Sequence, residues 1–494
     1  MKKHFTCHHG LAKPRGCGHV AVGGFSRLFP KLDSLAVSEI DAAALGGPGG
    51  LMHDFDGASP DIDIPAGYIF FAQFVDHDVT LDTGSKLRGA PLDAKAVSGL
   101  GNVRSASLDL DCVYGFGPEG SPHLYNGARP GEMAVGEGGR DLPRSPGGVA
   151  LIGDPRNDEN IFVSQMQLLF HRFHNRLLVE RVHQTDGARG FDRFEAAQEE
   201  ARFHYQWLVL FDFLKRLCDP EVWRFAVGRL LDHAAGFPLC YGLDAHGKLP
   251  MPVEFSAAAY RVGHTLVRSR YAVNDAHPDV ELFDERFGAT GFSALPAGLE
   301  VDWKYMLALE PHHRPRMCKA VDPLFADELQ NLPVVGSNNP DDRALAFRNL
   351  LRGNALGLPS GQDVAKALAA AGYPIAPVDL ALPTLPGWWR VERADRASAL
   401  TCQTPLFYYL MRESEVVHQG RRYGPTGSAI LMEVFGGMLR LCGGTFLNHP
   451  HWAPDACVAR KADGSVQDAE LAALVDDPDY YPFELADLAR FTLG

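Results

Sequence analysis

Five short stretches of this chain carry residue types at spacings that could do chemistry. In "AQFVDHDVT", Ala72 to Thr80, a histidine stands between two aspartates. It ends a run (Tyr68, Ile69, Phe70, Phe71, Phe74, Val75) that is apolar nearly all the way round, as in a helix deep in a large core. Carboxylates buried there are strongly destabilising unless something compensates them. Gln73 and His77 are four apart and share a helical face, while Asp76 and Asp78 point about 100° to either side of His77. His77 could then face a cavity, with Asp76 at its edge and Asp78 on the far side; a solvated, charged helix end is the alternative. In "SASLDLDCVYG", residues 105–115, Ser105, Ser107, Asp109 and Asp111 alternate with Ala106, Leu108 and Leu110. An extended chain would line their oxygens up on one side, a donor set suited to calcium. The spacing is not that of an EF-hand, and two carboxylates leave the site short of charge, so a third such as Asp78 would help. A polar strand edge is the other reading.

The remaining three stretches follow downstream. "GDPRNDEN" puts Arg156 and Glu159 three apart at a helix start, either as a surface capping arrangement or aimed together into a site. "YRVGHTLVRSRY" sets Gly263 beside His264 in an apolar helical run, which makes sense if a flat group approaches closely there. A core histidine with satisfied hydrogen bonds is the alternative. In "FRNLLRGNALGLPSG", Asn349 and Arg352 lie three apart on one helical face.

Taken together and in this order, "QFVDHD", "GDPRNDE", "RVGHTLV" and "RNLLRG" resemble the animal-type haem peroxidases of the peroxidase–cyclooxygenase superfamily, over roughly residues 65–442. The resemblance implies a role for each residue. His77 would be the distal histidine above a haem b iron, with Gln73 near the distal water and halide and Arg156 the distal catalytic arginine. Asp76 and Glu159 would form esters with haem methyls, so that neither remains a buried charge. His264 would be the proximal iron ligand and Asn349 its hydrogen-bond partner, with Arg261 and Arg352 near the propionates and the proximal side. Asp78, Ser105, Ser107, Asp109 and Asp111 would bind a structural calcium ion. The implied partners are hydrogen peroxide and a small donor, either a halide, thiocyanate or a phenol-like organic. The implied acid–base chemistry suits a neutral His77 and an always-charged Arg156. Asn160 stands where one mammalian member has a sulfonium-forming methionine, so no such link is expected. "GNALGLPSG" replaces the "GRDHGLP" of many relatives, and the absence of a propeptide and of secreted-type disulfides fits a bacterial-type member.

These residues need elements to hold them. Periodicity predicts helices at about 66–78, 159–184, 191–217, 255–270, 341–353 and 424–442, with long loops at 116–150 and 379–389 and few strand signals. The expected fold is mainly α, one large domain over residues 65–494 preceded by an irregular arm over 1–64. The 494 residues, 46% hydrophobic and 22% charged, can build a sizeable core. A net charge of −14 argues against nucleic acid or an anionic membrane as partner. No apolar stretch is long enough to span a bilayer. No signal peptide is evident, and nine scattered cysteines without a CxxC pair fit a reducing compartment, so a cytoplasmic location is expected.

Two other functions compete. A fatty-acid dioxygenase of the same superfamily would need a tyrosine three residues before His264. That position is Arg261, and Tyr260, four before, is rotated away by about 100°. A non-enzymatic haem- or metal-binding protein would need neither His77 nor Arg156. The N-terminal Cys7, His8, His9, Cys17 and His19 match no common zinc spacing.

Overall fold

Aromatic packing sets the position of the helix that carries His77. In this computed structural model, which describes residues 22–55, 57–180, 190–232, 234–285, 291–333, 335–378, 380, 403–454 and 466–494, helix α1 spans Glu39–Gly46 and α2 spans Gly67–Val79. Helix α3 (Ile161–Glu180) and α4 (Gly190–Trp207) pack on each other, and α2 lies against α3. Phe70 stacks on Phe162 with centroids 4.6 Å apart and Phe74 on Phe170 at 4.5 Å, while Tyr205 of α4 meets Phe71 and Phe74 edge-on. Phe71 and Phe74 are fully buried, so α2 cannot rotate without opening this cluster.

The remaining frame is also helical. Helix α5 (Pro220–Leu231) packs on the late apolar helix, while α6 (Leu345–Ala355) carries Asn349 and Arg352 and packs on both α1 and α7 (Leu406–His418). That late helix, α8, runs Pro425–Leu441, and α9 (Leu485–Leu493) closes over α3. Strands are short and paired in twos: β1 (Val22–Ser26) runs parallel to β3 (Leu249–Pro252), β2 (Asp61–Pro65) antiparallel to β6 (Met317–Lys319), and β4 (Arg270–Tyr271) antiparallel to β5 (Val280–Glu281). The described part of residues 1–64 thus joins the body through β1, α1 and β2. The N-terminal cysteines and histidines and the Pro-rich stretch 381–389 lie outside the described residues. Among those residues, no helix is long and apolar enough to cross a membrane.

Two predicted helices differ in kind: the run expected over 191–217 passes from α4 into a wide-turned π segment, Leu208–Phe213, before a last regular turn, Leu214–Leu217. The run expected as a regular helix over 255–270 is a wide-turned π segment, Phe255–Ala259, followed by a tight 3-10 segment, Tyr260–Leu266, and ends there. Apolar periodicity does not distinguish these windings, and departures of this sort concentrate where a chain is shaped around a site.

Candidate functional site

Two part-exposed stripes face each other deep inside the protein. In α2 only Ala72, Gln73 and Asp76 are part-exposed, and all its other residues are buried. Opposite them, Tyr260, Arg261, Gly263 and His264 are part-exposed between buried Val262, Thr265 and Leu266. The Tyr260 hydroxyl donates to the Ala72 carbonyl at 2.8 Å, which brings the stripes together. Interior residues with accessible surface line a void, and His264 interacts electrostatically with Arg261, Asp76 and His77, and Arg261 with Asp76, Arg156 and Arg352, which places these groups around it.

On the α2 side, His77 Nδ1 bonds Asn157 Oδ1 at 2.7 Å; an amide oxygen only accepts, so Nδ1 bears the proton and Nε2 keeps a lone pair. Burial, reinforced by the nearby Arg156 charge, lowers the His77 pKa to about 4, so the ring is neutral near pH 7. Gln73 Nε2 donates to Glu159 Oε1, and Gln73 Oε1 accepts from Asn160 Nδ2 at 3.2 Å. Burial raises the Glu159 pKa to about 7. Asp76 sits on the void-facing stripe and accepts from the Thr80 hydroxyl at 3.0 Å.

Arg156 lies within, and Glu159 directly follows, a 3-10 turn, Pro155–Asp158, capped by Asp154. Asp154 is fully buried and receives Arg156 through its backbone N–H at 2.9 Å, Nε at 3.0 Å and Nη2 at 2.8 Å. Arg104 Nη2 pairs with the same carboxylate at 2.7 Å, and Arg104 Nη1 with Asp111 at 3.0 Å. Burial alone would raise the Asp154 pKa; the bonds and charges of Arg156 and Arg104 outweigh it and hold the carboxyl at about 2. Arg156 Nη2 also donates to the carbonyls of His77 at 3.1 Å and Thr80 at 2.7 Å, which fastens this turn to the end of α2. Two glycines permit the close fit. A Cβ on Gly153 would lie 2.5 Å from the Asp111 and Cys112 carbonyls, and one on Gly291, whose φ is +71°, would strike the Asp158 carbonyl.

On the other side of the void, His264 is lowered to about pKa 4 by burial and by Arg261. Its Nδ1 lies 3.5 Å from the Asn349 side-chain nitrogen, and a half-turn of that amide would present its oxygen to an Nδ1–H. Arg261 bonds through Nε to the Ser256 carbonyl at 2.9 Å, and neither Nη is engaged among the described residues. Arg352 Nη1 is held by Asp82 at 2.8 Å and by the Ser85 hydroxyl. A Cβ on Gly263 would meet nothing nearer than the Tyr423 hydroxyl at 3.9 Å, leaving a smooth wall beside His264.

The aspartates converge as predicted, by a different backbone path. The 105–111 stretch is not extended throughout: Leu110 is left-handed (φ 59°), and this turn aims Asp109 and Asp111 back at Asp78. Ligand oxygens of Asp78, Asp109 and Asp111 lie within 4.8 Å of one another, and the group could hold a metal ion. Ser105 donates to Asp109 at 2.8 Å, and Ser107 is buried nearby in the chain. Burial and the neighbouring Asp111 push the Asp78 pKa up, a repulsion that a bound cation would relieve.

Sequence reading missed Asn157, Asp154 and Arg104. The first two lie inside the quoted "GDPRNDEN" and precedes or follows Arg156 by one or two residues; Arg104 adjoins the serine run. Such spacings left no signal of three-dimensional partners.

The residues around the void fit a flat, anionic prosthetic group: two opposed neutral histidines, a smooth Gly263 wall, and Arg261 with free donors. The likenesses to known proteins point the same way. Chorion peroxidase of Drosophila melanogaster is 26% identical over 278 residues, 53% of this chain and 33% of that protein. Dual oxidase of Drosophila melanogaster is 26% identical over 228 residues, 44% of this chain and 13% of that protein. The match therefore spans a third or less of these curated relatives. Among solved structures, peroxidase A of Dictyostelium discoideum has a TM-score of 0.62 at 14% identity, covering 98% of this chain and 97% of that one. Fatty acid alpha-dioxygenase of Oryza sativa has a TM-score of 0.55 at 17% identity, covering 87% and 77%. At these identities the structures establish a shared fold. Residues 92–370, more than half of the chain and holding Arg156, Glu159, His264, Asn349 and Arg352, match the animal haem peroxidase family, and the chain belongs to that family.

Proposed function

We propose that this protein is a haem-dependent peroxidase that reduces hydrogen peroxide and oxidises a halide, thiocyanate or small organic donor. The observation that carries the reading is the bare Nε2 of His77, beside Arg156 and across the void from His264. His264 would ligate the iron, Arg261 and Arg352 would meet the propionates, and Asp76 and Glu159 would esterify the haem methyls. When bound, the haem supplies the redox chemistry, storing the two oxidising equivalents of peroxide for the donor. His77 Nε2 takes the proton from one peroxide oxygen and returns it to the other as their bond breaks. Arg156, pinned by Asp154, stabilises the negative charge that develops on the leaving oxygen. Asn349 accepting from His264 Nδ1–H would fix that ring's tautomer and raise its basicity as a ligand. Asp78, Asp109 and Asp111, with Ser105 and Ser107, would bind calcium and hold the end of α2, where His77 sits.

A fatty-acid dioxygenase is the second reading, favoured by the fold shared with the plant alpha-dioxygenases. Against it, the Tyr260 hydroxyl is committed to the Ala72 carbonyl and its ring packs on Phe255 at 5.0 Å. The experiment that tests haem binding, on which both readings rest, is an absorption spectrum of the purified protein followed by acid–organic extraction. A Soret band whose pigment stays with the polypeptide supports haem and the Asp76 and Glu159 esters. One that extracts freely keeps the peroxidase and removes the esters, and absence of the band after haem is supplied overturns the reading.

A further inference from the structure

The bond from His77 to Asn157 is the first link of a buried chain whose every donor and acceptor can be assigned. His171 Nδ1 lies 2.9 Å from the Ala134 carbonyl, which can only accept, so this nitrogen carries the proton. His171 Nε2 is then a lone pair in the neutral ring, and it accepts from Gln167 Nε2 at 2.8 Å. The same Gln167 nitrogen donates to the Cys112 carbonyl at 3.2 Å, an independent observation that fixes which way this amide is turned. Gln167 Oε1 must therefore face Asn157, and it accepts from Asn157 Nδ2 at 2.7 Å. Asn157 is left with its oxygen toward His77 Nδ1 at 2.7 Å. Asn157, Gln167 and His171 are all fully buried, so water cannot substitute for any link.

We propose that Gln167 and His171 are positioning residues that fix the tautomer of His77, holding its proton on Nδ1 and its lone pair on Nε2 toward the void. Both lie on α3, four apart on a buried face, and their bonds run to Asn157, Cys112, Ala134 and each other, none of them part of the void-lining stripes. The chain starts at the Ala134 and Cys112 carbonyls, which carry no exchangeable proton. A proton taken up at Nε2 therefore has no exit along this route and stays available for return to the substrate. Were Gln167 apolar, the Asn157 amide would lose the partner that orients it and could turn its nitrogen to His77. His77 would then bear its proton on Nε2, where a base needs a lone pair. The catalytic consequence rests on the peroxidase reading; the tautomer itself does not.

The test is a proton–nitrogen-15 correlation spectrum of the full-length holoprotein labelled at histidine, kept diamagnetic as the ferrous carbonyl form. His77 is assigned by the signals lost in His77→Ala, and hydrogen peroxide consumption is measured alongside. The expected result is a protonated Nδ1 and unprotonated Nε2 for His77 in the parent. In Gln167→Leu the proton redistributes between the two nitrogens and peroxide consumption falls about tenfold. Gln167→Glu keeps one oxygen facing Asn157 Nδ2 and, with a proton held between its other oxygen and His171 Nε2, gives up only the Cys112 bond, so it is expected to retain the tautomer, with a rate within about twofold of the parent. If Gln167→Leu does not fold, Gln167→Met makes the same test. An unchanged His77 tautomer in the apolar variant overturns the proposal, as does an equal loss of rate in the apolar and Gln167→Glu variants. If the tautomer responds as expected but His77→Ala leaves peroxide consumption intact, the positioning role stands and the peroxidase reading falls.

Discussion

The two histidines that face each other across the void are held very differently. His77 sits in a regular helix clamped by stacked phenylalanines and is bonded at 2.7 Å to a fully buried amide. His264 sits in a tight segment that follows a wide one, and its polar side-chain neighbour is at 3.5 Å. The difference suits the roles proposed for them, acid–base group for His77 and iron ligand for His264. An acid–base group works only if its lone pair is aimed before the substrate arrives, so the protein fixes it in advance. An axial ligand gains its last constraint from the metal itself, because a bound iron supplies the bond that orients the ring.

The comparison can be broken first on the His264 side. His264→Ala is expected to abolish stable haem retention, seen as loss of the Soret band after gel filtration, while the folded chain persists because His77 keeps its own network. Next is the anchor of the other side. Asp154→Ala leaves Arg104 and Arg156 without their shared buried carboxylate and is expected to lower stability by about 3–5 kcal/mol in denaturant unfolding. The same carboxyl sets an acid limit. Its folded pKa of about 2 lies below the ordinary 3.8, so the folded state binds fewer protons than the unfolded one between those values. Its stabilisation, about 2 kcal/mol, is complete above pH 4 and is lost as pH falls toward 2, and an unfolding series at falling pH should show it. The smallest effect is expected at Asn349: Asn349→Ala should weaken haem affinity about tenfold, measured by haem titration, with the His77 tautomer unchanged.

Much of this was legible in the chain, for a physical reason. A helix that must be apolar on all sides and still present His77, Asp76 and Asp78 leaves a conspicuous pattern, and α2 lies within a residue of its expected span. The aspartate cluster was legible in its members but not in its path, because the left-handed turn at Leu110 has no glycine to announce it. The irregular winding before His264 was hidden, since the same apolar spacing suits wide, regular and tight helices. Least visible were Arg104, Asp154, Asn157, Gln167 and His171. Each is an ordinary polar residue locally, and its role arises only when segments remote in sequence meet in the core.

The most direct test of the central claim is hydrogen peroxide turnover by His77→Ala with haem still bound, confirmed by its Soret band. Turnover reduced at least about a hundredfold is the predicted result. Turnover within about twofold of the parent, at full haem occupancy, would contradict it and remove His77 from the acid–base role assigned to it.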